Sequence, residues 1–476
     1  MFRSMLQLLA LGALTTAAAL AQGPAQPAPL PPGQSNDPYP QPIAATEGVI
    51  RVNAREFAAL PDIDDVPARM MRLVDETGTK RLFVNDMRGP IYSVSYDGKA
   101  VTTYVDINDP KWGVAVQAQG RERGMQSFAF HPDFARAGSP GAGKFYTYTD
   151  TTNQTPAPDF TTPSPKTTHD TVVLEWTAKT PAAATYDGEA PRELIRLRQP
   201  FANHNGGHIG FNPTVSAGSA ERGWLYIGIA DGGSGGDPMS LAQNMSSAFG
   251  KIFRIDPLGR NSRNGKYGVP AANPFVKQSG ALPEIYALGV RNPQRLAWDP
   301  KTGRMYMSDI GQDIVEEISP VTAGANLGWN IWEGNYRFIS REAVSLEKPR
   351  SDPAMTYPVA EWGQRDPLLQ NSSAAVGLVV YRSADIPQLA NKLLFCDMPS
   401  GELFHLSADG TSAGTQDVIR RVLFNDGRTL LQLIQAKNEA QGKKPATRAD
   451  LRLGESADGR VFLLNKGDGV IRVLTR

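Results

Sequence analysis

A short apolar strand motif recurs six times along this chain of 476 residues, and it constrains the fold more than any other feature. Each copy opens with a basic or aromatic residue, continues with apolar side chains and usually ends near Asp or Asn. The copies are Arg81 to Asp86, Lys144 to Asp150, Trp224 to Asp231, Arg304 to Asp309, Lys392 to Asp397 and Arg460 to Asn465. Successive copies begin 63 to 88 residues apart. Repeats at this spacing are typical of a β-propeller, and six copies predict six four-stranded blades.

Several copies are followed by a second strand that begins at a glycine. These partner strands are Gly89 to Val94, Gly250 to Ile255, Gly401 to Leu406 and Gly469 to Leu474. Turns rich in Gly and Asp, with few long amphipathic helices, indicate an all-β fold, a six-bladed β-propeller. We expect a strand near Val49 to pair with the last blade and close the ring. Two segments, Thr152 to Thr168 and Phe338 to Gln370, are predicted to be long loops.

The first residues have the pattern of a secretory signal over residues 1–21. Arg3 supplies the positive charge, an apolar run follows, and Ala19-Leu20-Ala21 matches a cleavage site. Residues 22–46 are rich in Pro and Gln and predict an extended tether, followed by a single propeller domain over residues 47–476. The sequence therefore predicts a periplasmic or secreted protein with no stable membrane insertion.

Composition excludes several functions. A formal net charge of +1 gives no electrostatic signature for binding nucleic acid. Cys396 is the single cysteine, so an intramolecular disulfide, a multi-thiolate zinc site and a four-cysteine iron–sulfur cluster are all impossible. We expect Cys396 to be a buried core residue, because it lies in an apolar run.

The segment from Asn203 to Pro238 combines histidines with two glycine-rich turns. Glycines let the backbone approach a flat ligand, and His204 beside them is suited to accept a proton. A tight turn with surface histidines is the other interpretation. Gly232 to Gly236 also matches the string of a serine nucleophile elbow, but its all-β surroundings favour a flexible glycine loop.

Two later turns also contain residue types that are suited to binding an anion or a metal ion. Arg291 follows a strand and precedes Pro293, so its guanidinium is placed either to hold an anionic or carbonyl oxygen or to lie in solvent. Ser308 to Asp313 is followed by the Glu316-Glu317 pair. Backbone carbonyls and carboxylates of this kind suit Ca²⁺, and a surface acidic turn is the alternative.

Taken in order, these segments resemble the glucose/sorbosone dehydrogenase family, the soluble quinoprotein aldose sugar dehydrogenases. The matching segments cover most of the chain after residue 80. They are Glu122 to Gly124, Phe130 to Phe134, His204 to Gly207, Leu225 to Gly228, Asp231 to Gly233, Gly250 to Asp256, Ala272 to Phe275, Gly289 to Pro293 and Asp309 to Gln312.

The resemblance implies a six-bladed propeller that holds pyrroloquinoline quinone (PQQ) and Ca²⁺ at the mouth of its axial channel. It implies that His204 is the general base on the anomeric hydroxyl of a sugar, while hydride passes to the quinone and then electrons to a carrier. The implied cofactor contacts are Glu122, Arg291, Asn292, Gly311 and Gln312.

The resemblance also implies two calcium sites. The carbonyls of Gly311 and Gln312 would bind the Ca²⁺ beside the cofactor. Glu317 and the carbonyl of Leu327 match a second, structural Ca²⁺ site.

This chain departs from the family pattern at three places. Some members have Gln where Glu122 falls, a Lys near Pro399, and a closely spaced Arg pair near Arg448 and Arg452. Pro399 supplies no cation for the quinone carboxylates. Two alternatives to the dehydrogenase therefore stay open, a cofactor-free propeller that binds a partner and a Ca²⁺-dependent hydrolase of the lactonase type.

Overall fold

The computed structural model describes residues 29–164, 167–369, 372–410 and 414–476. Within them, six antiparallel four-stranded blades follow one another along the chain. Blade 1 contains Met70–Glu76, Arg81–Asp86, Pro90–Ser95 and Val101–Asp106. Blade 2 contains Met125–Phe130, Lys144–Thr151, His169–Thr177 and Arg192–Gln199. Blade 3 contains Ile209–Phe211, Leu225–Ile229, Lys251–Ile255 and Ile285–Leu288.

The remaining three blades complete the ring. Blade 4 contains Pro293–Trp298, Met305–Asp309, Val315–Val321 and Ala360–Gly363. Blade 5 contains Ala375–Tyr381, Lys392–Asp397, Leu403–Ser407 and Arg420–Phe424. Blade 6 contains Arg452–Glu455, Val461–Leu464, Val470–Thr475 and, from the start of the chain, Ile50–Ala59.

The recurring sequence motif is the second strand of each blade. These strands are buried along nearly their whole length, because each blade packs a face on each of its neighbours. Phe83, Phe130 and Phe145, for example, form one aromatic cluster between blades 1 and 2. Burial on both faces demands a continuous apolar run, which is why this strand carries the repeat. The predicted all-β, six-bladed propeller is confirmed.

The N-terminal strand closes the ring, as predicted. Asn53 to Ala59 pair antiparallel with Val470–Thr475, the C-terminal strand. Ile50 to Val52 pair parallel with Arg420–Phe424 of blade 5. One strand therefore joins the two blades and covers both edges, which would otherwise expose unpaired backbone groups.

The compact unit begins at Gly33, earlier than the predicted start at residue 47. Ile43 is 2% exposed, and its N–H donates to Asp366 Oδ2 at 2.7 Å. An apolar side chain after the Pro-rich run is thus part of the hydrophobic core. The predicted signal at residues 1–21 lies outside the described residues.

The second predicted loop, Phe338 to Gln370, was wrong in part. It contains the fourth strand of blade 4 and part of a small extra sheet. That sheet comprises Gln34–Ser35, Trp332–Glu333, Tyr336–Ser340 and Ala343–Ser345. Its strands are two to five residues long, too short for a periodic pattern to reveal them.

Helical structure is sparse in the described part of the chain. An α-helix covers Leu430–Ala440 and begins at a capping box formed by Thr429 and Gln432. Short 3₁₀ helices cover Pro110–Trp112, Ala220–Gly223, Pro367–Leu369, Pro387–Leu389 and Gln416–Val418. Among the described residues, every helix is too short or too polar to cross a membrane.

Strand direction decides which loops meet. The four strands of each blade alternate in direction, so the turn after the second strand and the link to the next blade emerge at the same end of the ring. We call this the site end. His204 and Arg291 lie on links between blades, while Asp231 and Gln312 follow second strands. The topology thus brings these four residues to one end of the central channel.

Candidate functional site

His204 lies at the centre of the site end and is 4% exposed. Its Nδ1 is 2.7 Å from Asp231 Oδ1, and its Nε2 is 2.8 Å from Arg291 Nη2. A carboxylate can only accept, so the ring proton is on Nδ1. Nε2 therefore carries the lone pair, and the imidazole is oriented to accept a proton at that atom.

Asp231 is ionised in this arrangement. Burial opposes ionisation, but the contacts with His204, Arg291 and the Gly233 N–H outweigh it and lower the pKa of Asp231. Gly233 N–H donates to Oδ1 at 2.9 Å, and Trp329 Nε1 donates to Oδ2 at 2.9 Å. Both oxygens are thus fixed, which fixes the orientation of the imidazole.

His204 has a left-handed backbone, with φ +52°. Non-glycine residues pay roughly 1–2 kcal/mol for this conformation, so the surrounding structure must hold it. Glu122 does so, because its Oε2 accepts the His204 N–H at 2.8 Å. The structure thus places Glu122 where its carboxylate positions the backbone of His204.

Arg291 is held from several directions. Its Nη1 donates to Ile310 O at 2.8 Å, and its guanidinium carbon lies 5.8 Å from the centre of the Trp329 ring. Its backbone N–H donates to Asp309 Oδ2 at 2.8 Å. The backbone N–H of Asn292 donates to Asp309 Oδ1 at 2.6 Å. One buried carboxylate therefore fixes the turn that presents the guanidinium to His204.

The turn after the second strand of blade 4 is built around Gly311. A Cβ on Gly311 would lie 1.6 Å from Val315 O, so only glycine fits this turn. Glu333 Oε1 accepts the N–H groups of Gln312, Asp313, Ile314 and Val315 at 2.9–3.2 Å. The same turn presents Gln312 Oε1 to Gly236 N–H at 2.7 Å and so ties blade 4 to the glycine loop.

Five buried carboxylates gather beneath this turn, those of Asp309, Glu316, Glu317, Glu333 and Glu361. Burial raises the pKa of each, and the neighbouring carboxylates raise that of Glu317 further. Glu333 Oε2 is buried and has no hydrogen-bond partner. Ionisation of the whole cluster therefore requires a positive charge beside it, which a bound cation would supply.

A small cavity of about 10 Å³ lies against this cluster. Gly311, Glu317, Glu333 and Gly334 contribute to its wall, and its volume suits one water or one ion. In the described part of the chain, no three His, Cys, Asp or Glu side chains converge in a metal-binding arrangement. A cation here would therefore need backbone carbonyls as well as carboxylates.

Two of the predicted site residues, Leu327 and Asn292, have contacts away from His204 and the small cavity. Leu327 packs in the apolar cluster between blades 3 and 4 and does not line this cavity. The Asn292 side chain accepts from Gln294 Nε2 at 3.0 Å. Six of the predicted residues do meet at the site end. They are His204, Glu122, Arg291, Gly311, Gln312 and Glu317.

A group of basic side chains lies at the same end, on blades 1 and 6. The carboxylate of Asp450 lies among four of them, Arg69, Arg448, Arg452 and Lys466, and Arg69 also lies near Asp86. Burial and three neighbouring arginines hold the pKa of Lys466 well below its usual value. Lys466 Nζ donates to Arg121 O at 3.1 Å, next to Glu122.

Two of the places that depart from the family pattern, the arginine pair and Pro399, have particular contacts in the structure. Arg448 pairs with Asp450 at 3.0 Å, and Arg452 Nη1 donates to Asp450 O at 3.1 Å. Pro399 contributes its carbonyl, which accepts the Ala449 N–H at 2.9 Å.

Sequence reasoning missed four important groups, which are Asp231 as the partner of His204, Trp329, Glu333 and Lys466. Asp231 ends a repeat strand, and that position was a usable signal for a residue at the site end. Trp329 and Glu333 come from the insertion in blade 4, so their proximity depends on how that insertion folds back.

The fold and site together define a six-bladed propeller with a histidine, its carboxylate partner and an arginine at one end of the channel. The family model described as Glucose / Sorbosone dehydrogenase matches residues 65–429. The chain belongs to this family.

Two curated proteins that are similar in sequence to this chain have different names. HIPL2 protein of Arabidopsis thaliana is 31% identical over 362 residues, covering 67% of this chain and 49% of that protein. Aldose sugar dehydrogenase YliI of Escherichia coli (strain K12) is 27% identical over 230 residues, covering 48% of this chain and 53% of that protein. The chain thus spans about half the length of the curated relatives it matches.

A solved structure supports the same fold. The PQQ-bound form of aldose sugar dehydrogenase from Streptomyces coelicolor superimposes with a TM-score of 0.58 at 21% identity. The match covers 90% of this chain and 99% of that chain. At this identity the likeness establishes the propeller architecture.

Proposed function

We propose that this protein is an exported quinoprotein dehydrogenase that oxidises an aldose at its anomeric carbon with PQQ and Ca²⁺. The observation that carries the proposal is the set of contacts of His204, in which Nδ1 donates to Asp231 and the lone pair of Nε2 faces Arg291. A general base oriented in this way suits removal of a hydroxyl proton.

The residues fit the implied groups. Arg69 and Arg452 would supply positive charge for the quinone carboxylates, at a site where Pro399 offers none. The Arg291 guanidinium lies beside the base, where it would hold a quinone oxygen. Bound PQQ would supply the hydride acceptor.

The calcium sites rest on the carboxylate cluster. The unpartnered Glu333 Oε2 and the raised pKa of Glu317 both indicate that a positive ion belongs there. Gly311 and Gln312 would contribute carbonyls from the rigid turn above it.

In the proposed reaction His204 Nε2 takes the proton of the anomeric hydroxyl. Asp231 stabilises the resulting imidazolium, because its carboxylate lies 2.7 Å from Nδ1. Glu122 and the glycine loop keep the ring in place, so little reorganisation accompanies proton transfer.

A second candidate is a propeller that binds a partner without cofactor. It is favoured by the Arg448–Asp450 ion pair at 3.0 Å, which leaves this arginine less free for a quinone carboxylate. The two proposals differ in one measurable property, the binding of PQQ.

The test uses the purified mature protein with and without added PQQ and Ca²⁺. We expect calorimetry to detect PQQ binding and dye reduction with a panel of aldoses to require both additions. His204→Asn should keep PQQ binding and lose activity by about 10²-fold or more. His131→Gln, at the opposite end of the ring, is the matched control and should remain active. An absence of PQQ binding would exclude the dehydrogenase.

A further inference from the structure

The opposite end of the channel contains a much larger cavity, of about 780 Å³. First strands of all six blades line it, and it opens among the turns that follow those strands. It is therefore separate in position from the His204 site. Its volume lies within the usual range for small-molecule sites.

Three basic side chains lie together on the wall of this cavity, those of Arg72, His208 and Arg295. Arg72 Nη1 approaches the two ring nitrogens of His208 at 2.5 and 2.6 Å, and Arg295 Nη1 is 3.3 Å from His208 Nδ1. A neutral imidazole accepts at one nitrogen only, so it cannot satisfy both guanidinium groups. Burial and the two arginines hold the pKa of His208 well below its usual value.

Neither arginine has a carboxylate partner among the described residues. The Nε atoms of Arg72 and Arg295 are buried and have no acceptor. Arg295 is 6% exposed, and its Nη2 donates to Met71 O at 2.9 Å. Two guanidinium groups thus lie side by side with unused donors, and guanidinium stays charged in proteins.

Arginines nearer the opening are already neutralised. Arg222 pairs with Asp133 at 2.6 Å, and Arg382 pairs with Asp299 at 2.7 Å. The arginines without an ion-pair partner are therefore those on the inner wall. Three carboxylates also line the cavity, and none of them forms an ion pair with Arg72 or Arg295 among the described residues. Asp458 pairs with Arg460 at 2.9 Å, Asp75 accepts from the Tyr96 hydroxyl and the Ala457 N–H, and Glu455 is exposed.

We propose that this cavity binds a small organic oxyanion, a carboxylate or a phosphate ester, through Arg72 and Arg295. The guanidinium fork matches the spacing of two oxyanion oxygens. Phe211, Trp298 and Leu453 on the wall offer apolar surface for the body of the ligand. The site is independent of the proposed dehydrogenase reaction.

The test is calorimetric titration of the full chain at about pH 6 with two probes, sodium benzoate and sodium phosphate. Both probes present the oxyanion, and the tighter of the two identifies the ligand as carboxylate or phosphate. We expect Arg72→Gln to weaken binding by about tenfold or more. Arg222→Gln removes a cavity arginine that is already paired, and it should bind the probes as the wild type does.

A thermal melt without probe provides the second measurement. Since Arg72 faces another cation rather than a carboxylate, Arg72→Gln should melt at the wild-type temperature or above it. Failure of both probes to bind the wild type would overturn the proposal. Equal binding by Arg72→Gln and the wild type would overturn it too.

Discussion

Replacing Asp231 with Asn should damage the site, because the carboxylate accepts more hydrogen bonds than an amide can. Its two oxygens accept from His204 Nδ1, Gly233 N–H and Trp329 Nε1. An amide has one oxygen and one NH₂ group. In either orientation, at least one buried donor then faces the NH₂ group.

The expected loss of stability follows from the number of buried donors that would lack an acceptor. A buried donor without an acceptor costs about 1–3 kcal/mol, and Asp231 is 1% exposed. We therefore expect Asp231→Asn to lower the free energy of unfolding by about 1–3 kcal/mol.

The tautomer of His204 should change as well. If the NH₂ group faces Nδ1, that nitrogen must become the acceptor and the ring proton moves to Nε2. Nε2 then has no lone pair for a substrate proton and faces the Arg291 donor at 2.8 Å. We expect kcat of the proposed dehydrogenase to fall by about 10²–10⁴-fold, with PQQ binding retained.

Asp237→Asn is the matched control. Asp237 lies in the same loop and accepts from Leu241 N–H and Ala242 N–H, both at 2.9 Å, without contacting His204. Denaturant unfolding should show a loss in both variants, while ¹⁵N spectra of the imidazole should change only in Asp231→Asn. An unaltered His204 tautomer together with wild-type activity would refute the reasoning.

Two further predictions concern stability. Gly311→Ala should lower the free energy of unfolding by about 2 kcal/mol or more, since the added Cβ would meet Val315 O. The control is Gly218→Ala, where the added Cβ has open space and the free energy of unfolding should hardly change. Similar denaturant midpoints for the two variants would contradict this prediction. Burial lowers the pKa of His131 and of His405 to about 4, so the unfolded chain binds more protons and stability should fall as pH drops from about 6.5 to about 4. Denaturant midpoints across that range check the sign, and a double His→Gln variant should show a weaker dependence.

Much of the fold could be predicted from local pattern. The second strand of each blade is buried on both faces, and its apolar run is therefore visible in the sequence without a partner. Ring closure followed from the presence of strands at both ends of the chain. The strands of the extra sheet were not predictable, because Gln34–Ser35 pairs with Ala343–Ser345, some 300 residues away, and both are short.

The candidate site likewise contains some residues that the sequence predicted and others that it did not. His204, Arg291 and Gly311 stand in turns whose residue types already suggested chemistry, and the structure brings them together. The partner carboxylate of His204 was not predicted, although Asp231 ends a repeat strand. Lys466 and Arg69 were also missed, since they come from opposite ends of the chain and meet only when the ring closes.

The sequence by itself determined the repeating unit, the number of blades and the turns that carry polar groups, because these depend on neighbouring residues. Only the tertiary structure decided which charges are paired. Arg222 has a carboxylate partner, whereas Arg72 faces Arg295. The physical reason is that desolvation and Coulomb energy depend on distances between side chains far apart in sequence, and the closed ring sets those distances.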